Sequence, residues 1–201
     1  MANYRKSRTL PTVLTVVIII IAVIGLVTLA RALFFGGDSP VERTQAEINR
    51  QALLDSSDGS AVTMTVRGPI VADENFRSYK IIVTPSSRDM KTYTGYLGTV
   101  LEQDNLTNNT AAYEEFVHAL DKARLSSGRQ LTEEQNDVRG ICATGRVFEF
   151  ATMKNGETIQ WLWTSTCSGS KGSLQANVDQ LVQLFQRQIP NSRTFLSNIS
   201  L

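Results

Sequence analysis

The stretch Pro11–Ala30, PTVLTVVIIIIAVIGLVTLA, runs for 20 residues without a charge. At 1.5 Å per residue a helix of that length measures about 30 Å, the thickness of a hydrocarbon core. A small soluble domain has no means of hiding such an Ile/Val rod on every side, so the sequence predicts one transmembrane helix over residues 11–33. Arg5, Lys6 and Arg8 precede it, and no Asp or Glu occurs before Asp38. The positive-inside rule then keeps residues 1–10 in the cytoplasm and puts everything after the span outside. Arg31 marks the exit, its stem lying along apolar surface and its guanidinium reaching the headgroups. A cleaved signal peptide is the competing reading, because Ala30 and Ala32 have the spacing of a cleavage site. The apolar run exceeds the roughly 7–15 residues of a signal core, which favours an uncleaved anchor in the cell membrane.

Past Phe34-Phe35 the pattern Ser39-Pro40-Val41-Glu42 combines an N-cap with Pro at the first helical position. It predicts a short helix ending near Leu54, before Ser56-Ser57-Asp58-Gly59. Its apolar stripe is thin, with Val41, Ile48 and Ala52, so residues 34–60 are expected to be a solvated stalk. A helix packed on the following domain is the other reading.

Residues 61–190 read as one α+β domain with an antiparallel sheet, a three-stranded meander plus a hairpin. Val62, Met64 and Val66 alternate and stop at Gly68-Pro69; Tyr79, Ile81 and Val83 repeat the alternation up to Pro85. A third strand is expected over 91–101, with Gly95 and Gly98 marking a bulge or a close approach. Tyr113, Phe116, Val117, Leu120 and Ala123 recur at helical spacing, with Asn109 as N-cap and Gly128 as C-cap, which predicts a helix over 110–125. The polar stretch Ser126–Gly140 is long for a connection and holds at most one capped turn, at Thr132; it is expected to be a surface loop and a candidate contact surface.

Val147–Met153 and Thr158–Thr166 flank Lys154-Asn155-Gly156-Glu157, where Asn-Gly suits a two-residue type I′ turn. With Lys154 opposite Glu157, the register predicts Thr152 facing Ile159, Phe150 facing Trp161 and Phe148 facing Trp163, all on one side. A last helix is expected from Ser173, burying Leu174, Val178, Leu181, Val182, Phe185 and Ile189 and stopping at Pro190. Its opposite face is Gln-rich. The tail, 191–201, is expected to be an edge strand through Phe195, Ser197 and Ile199, or frayed.

The same hairpin puts Cys142 and Cys167 near the open end of its two strands, and a domain outside the cytoplasm would join them in a disulfide. They are the chain's 2 cysteines, and His118 is its 1 histidine. Multi-histidine and four-cysteine metal centres are thereby excluded, and no metal or cofactor is expected. His118 falls on a solvated helix face one turn from Glu114. Gly169-Ser170-Lys171-Gly172-Ser173 resembles a phosphate loop only loosely, since its Lys precedes the glycine that should come before it; weak anion binding at Lys171 is the most it suggests. Asn105, Asn108 and Asn198 begin N-x-S/T triplets, which matter only in a source that glycosylates.

Lys+Arg 20 against Asp+Glu 19 gives a net charge of +1. That balance joins a +4 anchor to a −3 domain, which argues against a nucleic-acid partner. The expected partners are the bilayer, through the N-terminal helix, and an envelope protein, through the 126–140 loop or the Gln-rich face. Catalytic residues are not expected, because no nucleophile elbow, zinc-protease or dinucleotide fingerprint is present. An envelope hydrolase with a carboxylate-based site is the alternative from another class, and a secreted domain freed by cleavage is a third.

Overall fold

A computed structural model describes residues 18–24, 26, 44–129, 131–199 and 201. The chain divides into two units, Met1–Glu42 and Arg43–Leu201. In the first, residues 18–24 and 26 are helical with exposed side chains; the rest of the span expected over 11–33 lies outside the described residues. Among those described, no helix is long and apolar enough to cross a membrane.

The second unit is α+β. Its six strands, β1 (Ser60–Arg67), β2 (Arg77–Val83), β3 (Ser87–Thr94), β4 (Thr99–Thr107), β5 (Val147–Lys154) and β6 (Glu157–Ser165), form one antiparallel sheet in the order β4-β3-β2-β1-β5-β6. The helices are α1 (Gln45–Leu54), α2 (Thr110–Lys122), α3 (Glu133–Asn136), α4 (Val178–Gln186) and α5 (Ser192–Ser197). Alternation in β1 and β2 sends Val62, Met64, Val66, Tyr79, Ile81 and Val83 to one face. There they bury against Leu53 of α1, Phe116, Val117 and Leu120 of α2, and Leu181 and Phe185 of α4. Phe116 and Phe185 meet edge to face at 5.2 Å between centroids. A second, smaller core lies on the other face at the β5–β6 side, where Cys142, Val147 and Trp163 pack with Leu131, Val138, Ile141 and Trp161.

Several expectations are corrected by this packing. Residues 45–54 do not form a solvated spacer: Leu53 is 0% exposed and joins the main core. The helix is started by Thr44, whose Oγ1 accepts from the Glu47 amide at 3.3 Å while the Glu47 carboxylate accepts from the Thr44 amide at 2.8 Å. This capping box satisfies two otherwise orphaned donors reciprocally. The Ser39-Pro40 start lies outside the described residues. The single third strand is instead two strands. Gly95 and Gly98, at φ +71° and +72°, turn the chain between β3 and β4, a conformation in which a side chain would be strained. The meander therefore has four strands.

Asn109 caps α2 as expected, its side chain accepting from the Ala112 amide at 3.0 Å. The chain leaves that helix through Arg124 at φ +63°, before Gly128 is reached. Ser173 does not start the last helix. Its hydroxyl accepts from the Trp163 amide at 3.1 Å, and the Leu174 amide donates to the Trp163 carbonyl at 3.0 Å, so this segment runs beside β6 and shields its edge. Asn177 caps α4 instead, accepting from the Gln180 amide at 3.0 Å. The tail folds as α5 rather than an edge strand, and Ile199 is buried in the main core.

The hairpin turn is as expected, with Asn155 and Gly156 at φ +51° and +84° and Lys154 opposite Glu157. The register beyond it is not. Met153 faces Thr158 but Thr152 faces Gln160, leaving Ile159 as the extra residue of a bulge. Every later partner moves by one, so Phe150 faces Leu162, Ala151 faces Trp161 and Glu149 faces Trp163. A one-residue slip exchanges the two faces of a strand. The aromatics are accordingly split, with Phe148 and Phe150 under the helices and both tryptophans on the opposite side.

Candidate functional site

The sheet face opposite the helices carries a small cavity at the end where β1 stops. Arg67 is the last residue of β1 and points away from Val66 and the main core, as strand alternation requires. Gly68-Pro69 breaks the strand, and the Ile70 amide then donates to the Ala143 carbonyl at 2.8 Å, binding this loop to the segment before β5. Phe76 immediately precedes β2, and its ring stacks on Tyr96 of the β3–β4 turn at 4.2 Å and 18°. Tyr96 is held from both ends: its amide donates to Asp73 Oδ1 at 2.7 Å, and its hydroxyl donates to the Val71 carbonyl at 2.7 Å. The opposite wall is Val138–Ile141, so part of the Ser126–Gly140 stretch singled out by its length does line the cavity. Arg67, Ile70, Phe76, Tyr96, Val147 and that wall enclose about 280 Å³.

The wall is fixed covalently. Cys142 and Cys167 form the expected disulfide, with Cα atoms 5.4 Å apart. It ties the segment leading into β5 to the segment leaving β6. Gly145 lies against the bond, where an added Cβ would collide with the Cys142 sulfur. Asp137 and Arg139 pair across one residue, the Arg139 Nε standing 2.8 Å from Oδ1. Those hydrogen bonds hold the Asp137 carboxyl down to about 2.

Arg67, like the buried Thr92 hydroxyl, carries polar atoms without a hydrogen-bond partner. Its Nε lies 2.7 Å from Glu149 Oε1, an ion pair whose angle is too poor for a hydrogen bond, and its Nη2 is buried with no hydrogen-bond partner. A buried donor without an acceptor costs about 1–3 kcal/mol, so such a group calls for an explanation.

A larger, more open groove of about 840 Å³ runs along α1 between Ile48, Leu54 and Ile159. Its charged groups have partners. Arg50 binds Asp121 at 2.7 Å and Lys154 binds Asp55 at 2.7 Å. Hydrogen bonds from Lys154 and Ser57 hold the Asp55 carboxyl well below the usual carboxylate range.

The remaining sequence candidates do not converge on either cavity. His118 is exposed, and Glu114 accepts from Ser56 Oγ at 2.8 Å across to the segment after α1. In the Gly169–Ser173 segment the backbone carbonyls of Lys171 and Gly172 accept from Arg129. Carbonyls turned toward a guanidinium are the reverse of an anion cradle. On α4, Gln180 and Gln183 are exposed while Gln186 donates to the Tyr79 hydroxyl at 3.2 Å. The amides of Asn105, Asn108 and Asn198 are engaged by Asp89, the Thr84 carbonyl and Glu102. Among the described residues no group of three or more His, Cys, Asp or Glu could hold a metal ion.

The sequence reading passed over Arg67, Phe76 and Tyr96. Gly68-Pro69 and Gly95 mark the turns that bring them together, but a turn signal does not say which turns will share one end of a sheet. No family model and no curated protein matches the chain.

Proposed function

We propose that this chain is a membrane-tethered binding domain, anchored by its N-terminal apolar run with the α+β domain outside the cytoplasm, and that it engages an envelope partner at the Arg67–Tyr96 cavity. The observation that carries the reading is the Cys142–Cys167 bond. A disulfide belongs to an oxidising compartment, and this one also braces the segment that walls the cavity. Compartment and site thus rest on the same two residues. The uncharged Pro11–Ala30 run supplies the tether, and the basic residues before it favour a cytoplasmic N-terminus. A cavity of mainly apolar and aromatic walls, with Arg67 and Arg139 among its lining residues, has the usual make-up of a ligand site.

Two measurements test this. External protease on intact cells should digest the domain and leave a membrane-protected N-terminal fragment; a domain protected until lysis overturns the topology. A photocrosslinker at Val138, in the full chain in its own membrane, should capture a discrete adduct that is lost when Ile70→Trp fills the cavity. An unchanged adduct pattern places the contact elsewhere.

A further inference from the structure

We infer that a third cavity, at the turn from α4 to α5, takes the phosphate of a small hydroxylated monoester between Arg187 and Arg193. The two arginines flank the turn, and both line the cavity together with Gln183, Gln186, Ile189 and Ser192. Both are exposed, and among the described residues neither guanidinium has a hydrogen bond or an ion pair. Arg50 and Arg139, also exposed, are by contrast paired with Asp121 and Asp137. No Asp or Glu lines the cavity, and none follows Asp179 in the sequence.

The turn that carries the arginines is held in place. Ile189 is 1% exposed and sits in the main core. Ser192 Oγ donates to the Gln186 carbonyl at 3.0 Å, and Arg88 Nη1 donates to the Gln188 carbonyl at 3.1 Å. The backbone spacing of the two arginines is thereby set, so only their side chains must order on binding. The amides of Arg187, Gln188 and Ile189 satisfy the carbonyls of Gln183, Phe185 and Gln186 at the end of α4, which left bare would repel an anion.

Charge and shape then choose the ligand. A guanidinium fork meets a carboxylate or a phosphate through two parallel N–H donors. A carboxylate has one charge and two oxygens, enough for one fork. A phosphate monoester carries up to about two charges on three acceptor oxygens, enough for both. The volume, about 380 Å³, is near the lower end of the roughly 300–1,000 Å³ of ligand sites and leaves room beside the phosphate for a small body. Amide and hydroxyl walls suit a body that is hydroxylated. Gln186, held by its bond to the Tyr79 hydroxyl, keeps its side-chain oxygen for such a donor.

A phosphate monoester occurs as a free solute and as a lipid headgroup. Calorimetric titration of the full chain in an uncharged detergent, at a pH well above the second phosphate ionisation at about 6, separates these sources. The probes are glycerol 3-phosphate and phosphatidic acid in the micelle. Glycerol 3-phosphate binding at least as tightly identifies a free solute; tighter binding of phosphatidic acid identifies a headgroup. Glycerophosphoglycerol, a diester with a single charge, should bind about tenfold more weakly, and Arg187→Gln and Arg193→Gln should each lower affinity by about tenfold. Gln183→Trp, at an exposed wall residue, should fill the cavity and abolish binding. Lys122→Gln, at an exposed cation outside the cavity, should leave affinity unchanged. Failure of both monoesters to bind, equal binding of the diester, or an arginine variant that loses no more affinity than Lys122→Gln overturns the inference.

Discussion

Arg67 and Glu149 are diagonal neighbours across the β1–β5 pair, with Arg67 Nε 2.7 Å from Glu149 Oε1. Their side chains are 29% and 19% exposed, between the surface and buried cases. Removing one partner of such a pair leaves the other charge half-buried and uncompensated. Glu149→Ala should therefore destabilise the domain by about 2 kcal/mol. Urea unfolding checks this, and adding Arg67→Met to the same chain should recover part of the loss. If both single variants match the parent, the pair is energetically idle.

The disulfide closes a loop with a sequence separation of 25 residues. Loop-closure entropy sets its contribution at about 3.5 kcal/mol. Replacing both cysteines by serine should lower the thermal midpoint by several degrees. Hydrogen exchange should rise first in residues 138–146, which the bond holds, and last in β1. Uniform exchange across the sheet would mean that the bond does not act on the cavity wall.

Leu53 decides whether α1 is part of the domain. A fully buried leucine truncated to alanine costs about 2–5 kcal/mol, through lost transfer energy and the cavity left behind. Leu53→Ala should fall in that range in a denaturant titration, whereas Ile48→Ala, on the 40% exposed side of the same helix, should change little. Equal, small effects would return the helix to the role of a spacer.

Acid should loosen the same helix end. The Asp55 carboxyl is lowered in the folded protein, chiefly by its hydrogen bond from Lys154 and then by those from Ser57. A depressed carboxylate contributes stability that is complete above its unfolded value near 4 and is lost as pH falls through the folded value. Stability should accordingly decline below about pH 4, and Asp55→Asn should remove that part of the decline. Both partners are about a third exposed, so solvent screening keeps the effect under about 1 kcal/mol. A variant with an unaltered acid limb would show that other carboxylates govern it.

Local chemistry made some elements legible. Asn155-Gly156 announced the hairpin because both positions need positive φ, and Asn109 announced α2 because a side-chain acceptor at that position satisfies an orphaned amide. The strands of Val62–Val66 and Tyr79–Val83 alternate cleanly because one face is fully covered. The β3–β4 turn was missed for a related reason. The exposed pattern of β4 carries little hydrophobic alternation, so Gly95 and Gly98 looked like irregularities in one long strand.

By itself the sequence determined the α+β class, several turns, the Asn109 cap of α2 and the proximity of Cys142 to Cys167. All of these depend on residues close in the chain or on the two strands of one hairpin. Only the tertiary structure decided which face each aromatic occupies, that Leu53 belongs to the core and that Arg67 and Tyr96 line one cavity. The bulge at Ile159 satisfies both faces at once, putting Leu162 under the helices and letting the Trp163 indole donate to Asn136 Oδ1 at 3.2 Å. Such a choice depends on volume and hydrogen-bond partners supplied by segments far away in sequence, and no local pattern encodes them.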